Sequence, residues 1–155
     1  MTNKKKAERE RSIETFIRRQ RMGHLATVDA QNRPVVVPFC FAYDGRIFYS
    51  SLDEKPKRVS PDKLRRTQNV RANPEVAVVL DHYEEDWGHL TFVLIRGKAR
   101  ILYSGKEHSR AVSLLRRKYP QYRKMRPAAR PVLRIKPWKI FEWSAISNRE
   151  GREDL

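Results

Sequence analysis

The hydrophobic residues of this chain fall mainly into short runs that are rich in Val, Ile, Phe and Tyr and are separated by polar turn residues. Runs of this length and composition are typical of β-strands. The pattern predicts strands at residues 24–28, 33–43, 46–51, 76–83, 90–103, 132–135 and 138–145. Because turn-forming sequences at 29–32 and 44–45 separate the first three strands, we expect those three to form a meander.

The first segment of the chain shows the spacing of an amphipathic helix. Between residues 8 and 22, Ile13, Phe16 and Ile17 recur at i, i+3 and i+4 among charged residues, and Gly23 follows as a stop signal. This spacing predicts a helix with one narrow buried stripe.

Two further helices are indicated by their start and stop signals. The sequence Ser-Pro-Asp at 60–62 supplies an N-cap, a proline for the first turn and an acid near the helix N-terminus, and Asn-Pro at 73–74 ends the segment. Ser104 and Glu107 have the spacing of a capping box, and they predict a third helix that ends at Pro120.

The order of these elements indicates a fold class. It is helix, three strands, short helix, two strands, helix and two strands, joined mainly by hairpin connections. Such an order favours a mainly β, α+β fold: a small closed or split antiparallel β-barrel of about six to seven strands with flanking helices. A chain of 155 residues is enough for one domain. We therefore expect residues 1–155 to form a single domain, with flexibility only at 1–8 and 148–155.

The composition adds a strong positive charge. Thirty-four Lys and Arg against eighteen Asp and Glu give a net charge of +16, which attracts nucleic acids, acidic membranes and polyanionic small molecules alike. The single cysteine, Cys40, excludes an intrachain disulfide and a cysteine-based metal site. No segment approaches the roughly 20 apolar residues that span a bilayer. We expect a cytoplasmic protein that is neither exported nor inserted into a membrane.

One stretch combines hydroxyl groups with cations. Tyr49, Ser50 and Ser51 end a predicted strand, the segment 55–58 contains Lys55, Lys57 and Arg58, and two further arginines follow at 65–66. Hydrogen-bond donors and positive charge that converge on one place are what a phosphate group requires. The alternative interpretation is a solvated basic loop, which is common in a chain of this charge.

Other catalytic and metal-binding patterns are absent from the sequence. The four histidines have no recognised metal-ligand spacing, so we predict no metal site. There is no glycine-rich phosphate loop and no nucleophile elbow, and we assign no residue as a catalytic acid or base. Trp87 lies in a polar loop, where its ring would be exposed unless a ligand or another subunit covers it.

Several short motifs together resemble a known family. They are GHLATV at 23–28, Arg-Pro at 33–34 with Pro38, DEKPKR at 53–58, LRR at 64–66, Asn-Val at 69–70, Asn-Pro at 73–74, DHY at 81–83 with Asp-Trp at 86–87, RGKA at 96–99, and PWKI at 137–140 leading to Trp143. Their order and spacing resemble the pyridoxamine 5′-phosphate oxidase-like split barrels, and within them the deazaflavin-dependent oxidoreductases.

The resemblance implies a homodimer with a cofactor in each of two grooves between the protomers. The end of the strand at 49–51 would lie along the cofactor ring and ribityl chain, Lys57 would hold the phosphate, and a tryptophan would reach across from the partner. The cofactor-binding residues implied in this way are Val36, Val37, Pro38, Tyr49, Ser50, Ser51, Lys55, Lys57, Arg58, Trp87 and Trp143.

The resemblance also indicates which reaction to expect. Trp143 is followed by Ser-Ala-Ile-Ser-Asn instead of the Arg- and His-bearing motif of the pyridoxamine 5′-phosphate oxidases, so that oxidation is not expected. The cations at 55–58 and 65–66 exceed what the single phosphate of FMN needs, which favours coenzyme F420 with its carboxylate tail. We therefore expect hydride transfer between F420 and a small unsaturated or carbonyl-like substrate.

Three alternatives remain open. One is an FMN-dependent oxidoreductase of the same fold. Another is a basic protein that binds nucleic acid without catalysis, which we rank second because the chain contains no recognised nucleic-acid module. The third is a cofactor carrier or storage protein.

Overall fold

The computed structural model describes residues 2–52, 60–125 and 127–146. Short 3-10 helices at Pro61–Lys63, Trp87–His89, Pro120–Arg123 and Pro127–Ala129 supplement the main elements. The main elements in chain order are α1 (Asn3–Arg19), β1 (Gly23–Val28), β2 (Pro34–Phe39), β3 (Ala42–Tyr43), β4 (Phe48–Ser51), α2 (Arg65–Ala72), β5 (Glu75–His82), β6 (Thr91–Leu102), α3 (Lys106–Lys118) and β7 (Val132–Ser144).

The seven described strands form one antiparallel sheet that must curl into a barrel. Their order is β2-β1-β5-β6-β7-β4-β3, so β2 and β3 are the two edges. Only Cys40 and Phe41 connect those edges, and three Cα–Cα steps reach about 11 Å at most. In a flat sheet the edges would lie about 29 Å apart, at about 4.8 Å per strand spacing. The short link therefore brings the edges together, and the predicted α+β split barrel is confirmed.

The core fills the inside of this barrel. Along β5 and β6, alternate side chains point inward, and Val78, Leu80, Val93 and Ile95 are almost completely buried. Helix α1 packs Ile17 into the same core. The predicted buried stripe of α1 is confirmed, although the helix begins at Asn3, earlier than the predicted start at residue 8.

The predicted meander of the first three strands is confirmed in its pairings but not in its continuity. The predicted strand at 33–43 pairs with β1 through β2 and with β4 through β3, whereas the second partner of β1 is β5. The predicted strand at 33–43 is interrupted at residues 40–41, where the chain crosses from one edge to the other. Turn residues specify that a chain reverses, but they do not specify which edges pair over long distances.

Three local predictions also need correction. The helix predicted from Ser60 is a 3-10 turn at Pro61–Lys63 followed by α2. Gly105, with φ of +99°, precedes α3, and Glu107 bonds across the fold instead of forming a capping box. The two closing strands are a single strand, β7, whose register against β6 shifts between Arg96 and Gly97. That bulge accommodates Pro137 without ending the strand.

Candidate functional site

The end of β4 places a buried hydroxyl beside the predicted phosphate-binding segment. Tyr49, Ser50 and Ser51 are all buried in β4, between β3 and β7. Among the described residues the Ser51 hydroxyl has no hydrogen-bond partner. Only Leu52 separates Ser51 from residues 53–59 in the sequence. The predicted ligands Lys55, Lys57 and Arg58 belong to that segment and lie outside the described residues. A buried donor without a partner is costly unless something else binds it.

The hydroxyl of Tyr49 is engaged in a polar network under α3. It donates to Glu107 Oε1 at 2.9 Å and accepts from Arg110 Nη2 at 3.1 Å. Arg134 Nε donates to Glu107 Oε1 at 2.6 Å, and Arg100 Nη2 to Oε2 at 3.1 Å. Burial opposes ionisation of Glu107, but the hydrogen bonds from Arg134 and Tyr49 prevail and keep its pKa below the usual value. The Tyr49 hydroxyl therefore holds β4 against α3.

Strand β2 presents a different kind of surface. Val36 and Pro38 point outward, and Val36 is 62% exposed, whereas Val37 packs against the core. Among the described strands, β2 pairs only with β1, so backbone groups on its other edge can still form hydrogen bonds. This placement is compatible with contacts to a cofactor ring through the backbone of residues 36–38.

The two predicted tryptophan contacts lie at one end of the β6–β7 ladder. Trp87 begins a 3-10 turn between β5 and β6 and is 68% exposed. Trp143, on β7, stacks on Phe92 with ring centroids 5.7 Å apart. Because Trp143 lies on the outside of the barrel and Trp87 is exposed, both rings can contact a molecule that approaches from outside.

An apolar surface, here called the outer face, covers the outside of strands β2, β1, β5, β6 and β7. Outward positions on these strands align across the sheet, because Pro38 lies opposite His24, His24 opposite Val79, and Leu94 opposite Phe141. The apolar members of the outer face are Val28, Val36, Pro38, Ala77, Val79, Phe92, Leu94, Phe141 and Trp143. All of them remain partly or fully exposed in the single chain, which is unusual for an apolar sheet surface of this extent.

The start of α2 adds a second buried donor. Thr67 is buried, and its hydroxyl has no hydrogen-bond partner among the described residues. Arg65 and Arg66 precede it and form no ion pair in the part of the chain that the structure describes. Among the described residues, two hydroxyls without a hydrogen-bond partner and two cations without an ion pair thus flank residues 53–59 in the sequence, and such groups can bind a phosphate.

Sequence reasoning missed two polar features. Tyr49 and Glu107 are 58 residues apart, and no local pattern marks such a pair. Lys118, near the end of α3, places Nζ 4.0 Å from the ring centroid of Phe41. This buried amine has no hydrogen-bond partner within the described residues. Burial lowers the pKa of Lys118 to about 8.

Two kinds of feature are absent from the described residues. No group of three or more His, Cys, Asp or Glu side chains there is arranged to hold a metal ion. None of the helices described is both long enough and apolar enough to cross a bilayer.

Comparison with solved structures identifies several similar folds. The conserved hypothetical protein Rv2991 of Mycobacterium tuberculosis has a TM-score of 0.73 and 20% identity, over 94% of this chain and 91% of that one. The heme storage protein HutZ of Vibrio cholerae has a TM-score of 0.68 and 19% identity, over 85% of this chain and 92% of that one. An F420 reductase has a TM-score of 0.61 and 22% identity, over 83% of this chain and 94% of that one. At these identities the likeness shows the fold alone.

Comparison of the sequence with known families gives a broader assignment. No curated protein gives a significant match to the chain. The sequence model of the pyridoxamine 5′-phosphate oxidase family matches residues 10–144, a range that includes all seven described strands and most of α1. The chain therefore belongs to the pyridoxamine 5′-phosphate oxidase family of split barrels.

Proposed function

We propose that this protein is an oxidoreductase that binds the deazaflavin F420 and acts on a small unsaturated or carbonyl-like substrate. The observation that carries the proposal is the buried Ser51 hydroxyl, which lacks a partner among the described residues. It lies at the end of β4, directly before the segment with Lys55, Lys57 and Arg58. In this proposal Ser51 donates a hydrogen bond to the cofactor and Lys57 binds its phosphate.

The surplus of cations favours F420 over FMN. FMN carries a single phosphate, whereas F420 continues through a phosphodiester into a tail with several carboxylates. Arg65 and Arg66 form no ion pair in the described part of the chain, and they follow the segment at 55–58 closely in sequence. These arginines would bind the tail, and the hydroxyl of Thr67 would add a hydrogen-bond donor. FMN is the alternative cofactor.

The protein would contribute binding and orientation. A bound deazaflavin supplies hydride transfer at its C5 position. The edge of β2 at 36–38 would position the ring through backbone groups, and Trp87 or Trp143 would cover the ring and exclude water. We assign no residue as an acid or base, because hydride transfer to such acceptors does not require one from the protein.

A homodimer follows from the same proposal. The outer face is apolar and extends across five strands, and a second copy of the chain can bury it. The exposed Trp87 and the half-buried Trp143 would then lie beside the partner's sheet. A cofactor bound at the margin of this interface would touch both protomers.

The experiment is a parallel titration of the purified full chain with F420 and FMN, followed by tryptophan fluorescence. We expect saturable F420 binding that is tighter than FMN binding. Ser51→Ala and Lys57→Ala should each weaken F420 binding by about tenfold, since each removes a direct hydrogen-bond or charge contact. Lys6→Ala is the matched control, because Lys6 is exposed on α1.

Two results would change this assignment. Absence of binding by either cofactor, or equal losses for Lys6→Ala and Lys57→Ala, would refute the cofactor site. Tighter binding of FMN than of F420 would favour the FMN alternative. Oxidation of reduced F420 by a panel of unsaturated and carbonyl acceptors would separate an enzyme from a carrier, since a carrier binds the cofactor without turnover.

A further inference from the structure

A basic groove opens where the barrel splits, away from the end of β4 that precedes residues 53–59. Strand β4 pairs with β7 only as far as Ile135, whereas β7 continues along β6 to Ser144. Beyond Ile135 the edge of β7 therefore faces the turn between β3 and β4. The gap, here called the split groove, has a volume of about 870 Å³, within the roughly 300–1,000 Å³ of small-molecule sites.

The charges that line the split groove are mostly positive. Arg46, Lys136 and Lys139 line it and form no ion pair within the described part of the chain. The carboxylates in its wall are already neutralised, because Asp44 pairs with Arg110 and Glu107 with Arg134. Three cations that line one groove without an ion pair among the described residues repel each other unless an anion lies between them.

An exposed aromatic ring lies at the margin of the split groove, on the β6 side of β7. Trp138 is 55% exposed, although its indole Nε1 is held by Glu75 Oε2 at 3.1 Å. Arg96 lies 6.0 Å from its ring centroid. A tryptophan that is fixed in orientation and open to solvent can stack against a flat ring.

A peptide strand is a poorer occupant of this edge than a compact anion. Pro137 lies near the start of the open edge of β7 and lacks a backbone N–H, and Lys136 and Lys139 lie on either side of it in the sequence. Proline and lysine at a sheet edge disfavour the addition of another strand. The recognition offered here comes from side-chain cations and one aromatic face.

We propose that the split groove binds a nucleoside polyphosphate. The base stacks on Trp138, and Arg46, Lys136 and Lys139 bind the phosphates. This site is separate from the proposed cofactor site and does not depend on it. Ser51 lies at the opposite end of β4 from the split groove and does not line it.

The proposal is tested by calorimetric titration of the full chain with ATP, AMP, inorganic tripolyphosphate and a short single-stranded RNA at physiological salt. We expect saturable ATP binding, about tenfold tighter than AMP binding because more phosphate oxygens meet cations. Saturating F420 should leave ATP binding unchanged. Competition between F420 and ATP would overturn the separate site.

Substitutions in the split groove test which side chains bind ATP. The double substitution K136Q/K139Q should weaken ATP binding about tenfold or more, whereas K6Q/K63Q, which removes the same charge from exposed positions outside the groove, should change it by about twofold at most. Trp138→Leu should weaken ATP binding but leave tripolyphosphate binding unchanged. Thermal unfolding of each variant confirms that it is folded.

Three further outcomes would overturn the proposal. The first is the absence of ATP saturation at millimolar concentration. The second is an equal loss of affinity in the two double variants, which would mean that overall charge alone attracts the anion. The third is RNA binding so much tighter than ATP binding that RNA displaces ATP, which would identify the groove as a nucleic-acid surface.

Discussion

Lys118 places an amine where water does not reach it. Its Nζ atom is buried against the ring of Phe41, without a hydrogen-bond partner in the described part of the chain. Burial is the main cause that lowers the pKa of Lys118 from 10.5 to about 8, and the nearby Arg21 adds to it. At neutral pH the fold must therefore accommodate a charge that it disfavours.

Replacement of Lys118 by Met should stabilise the protein at pH 7. Between pH 8 and 10.5 the unfolded chain binds more protons at this position than the folded chain, so the stability of the native protein rises with pH across that window. We expect Lys118→Met to raise the free energy of unfolding by about 1–2 kcal/mol at pH 7, after allowance for partial solvation. The gain in free energy of unfolding over the native protein should become smaller as pH approaches 10.

Urea unfolding at pH 7 and pH 10 measures this difference. Lys124→Met is the control, because Lys124 is exposed. A variant that is less stable than the native protein at pH 7, or an advantage that does not change with pH, would contradict the prediction.

Glu107 illustrates the opposite case, a partly buried charge that is well compensated. Its carboxylate accepts hydrogen bonds from Tyr49, Arg134 and Arg100. Glu107→Gln should cost about 1–3 kcal/mol at pH 7, the range for hydrogen bonds to charged groups. Because the pKa of Glu107 is lowered in the fold, its contribution is present above the ordinary value of 4.5 and is lost as pH falls further. The difference in free energy of unfolding between Glu107→Gln and the native protein should therefore become smaller at acidic pH.

Chemical unfolding at pH 7 and at about pH 3 tests this pH dependence. Glu10→Gln is the control, since Glu10 is exposed on α1. An equal loss of stability at both pH values would mean that the cost comes from altered packing instead of the carboxylate charge.

Single residues also show where sequence reasoning reached its limit. The hydroxyls and cations at 49–58 stand out in the sequence because they are neighbours along the chain. The contact of Lys118 with Phe41 could not be predicted, because it forms only when the end of α3 packs against the link between β2 and β3. Local patterns identify groups that act together only when the chain keeps them adjacent.

At the level of elements, the bulge between β6 and β7 depends on Gly97. A Cβ atom at this position would lie 2.8 Å from the carbonyl oxygen of Lys136 and 2.9 Å from Ile135 Cγ2. Gly97→Ala should therefore destabilise the protein by roughly 1–3 kcal/mol, because the backbone of β7 must move. Gly88→Ala should cost less, since its nearest contact is the flexible Asp86 side chain. Denaturant unfolding of both variants measures the costs, and equal costs would contradict a special role for the bulge.

The same elements explain which parts of the fold could be predicted. Strands at 76–83 and 90–103 agree closely with β5 and β6, because alternation of inward and outward side chains is a local property. The pairing of β1 with β5 and the position of β3 on the opposite edge could not be predicted. Those choices depend on how the whole barrel buries its core, which no turn sequence encodes.

At the scale of the whole molecule, the outer face connects the fold to the proposed function. The barrel buries one side of its sheet, while apolar residues on the other side, including Val36, Leu94 and Phe141, remain accessible. A second copy that covered this surface would bury the apolar area that a stable dimer needs, roughly 1,200 Å² or more. It would also bring Trp143 of each protomer against its partner.

A single charge in the middle of the outer face should separate the protomers. Phe141→Glu introduces a carboxylate opposite Leu94 on a surface that the dimer would desolvate, and unpaired charges in such positions cost several kcal/mol. We expect native protein to sediment as a dimer and this variant as a folded monomer with weaker F420 binding. Met22→Glu, which charges another exposed apolar residue away from the outer face, should remain dimeric. Native protein that sediments as a monomer would refute the dimer, whereas a monomer that keeps full F420 affinity would show that one protomer completes the cofactor site.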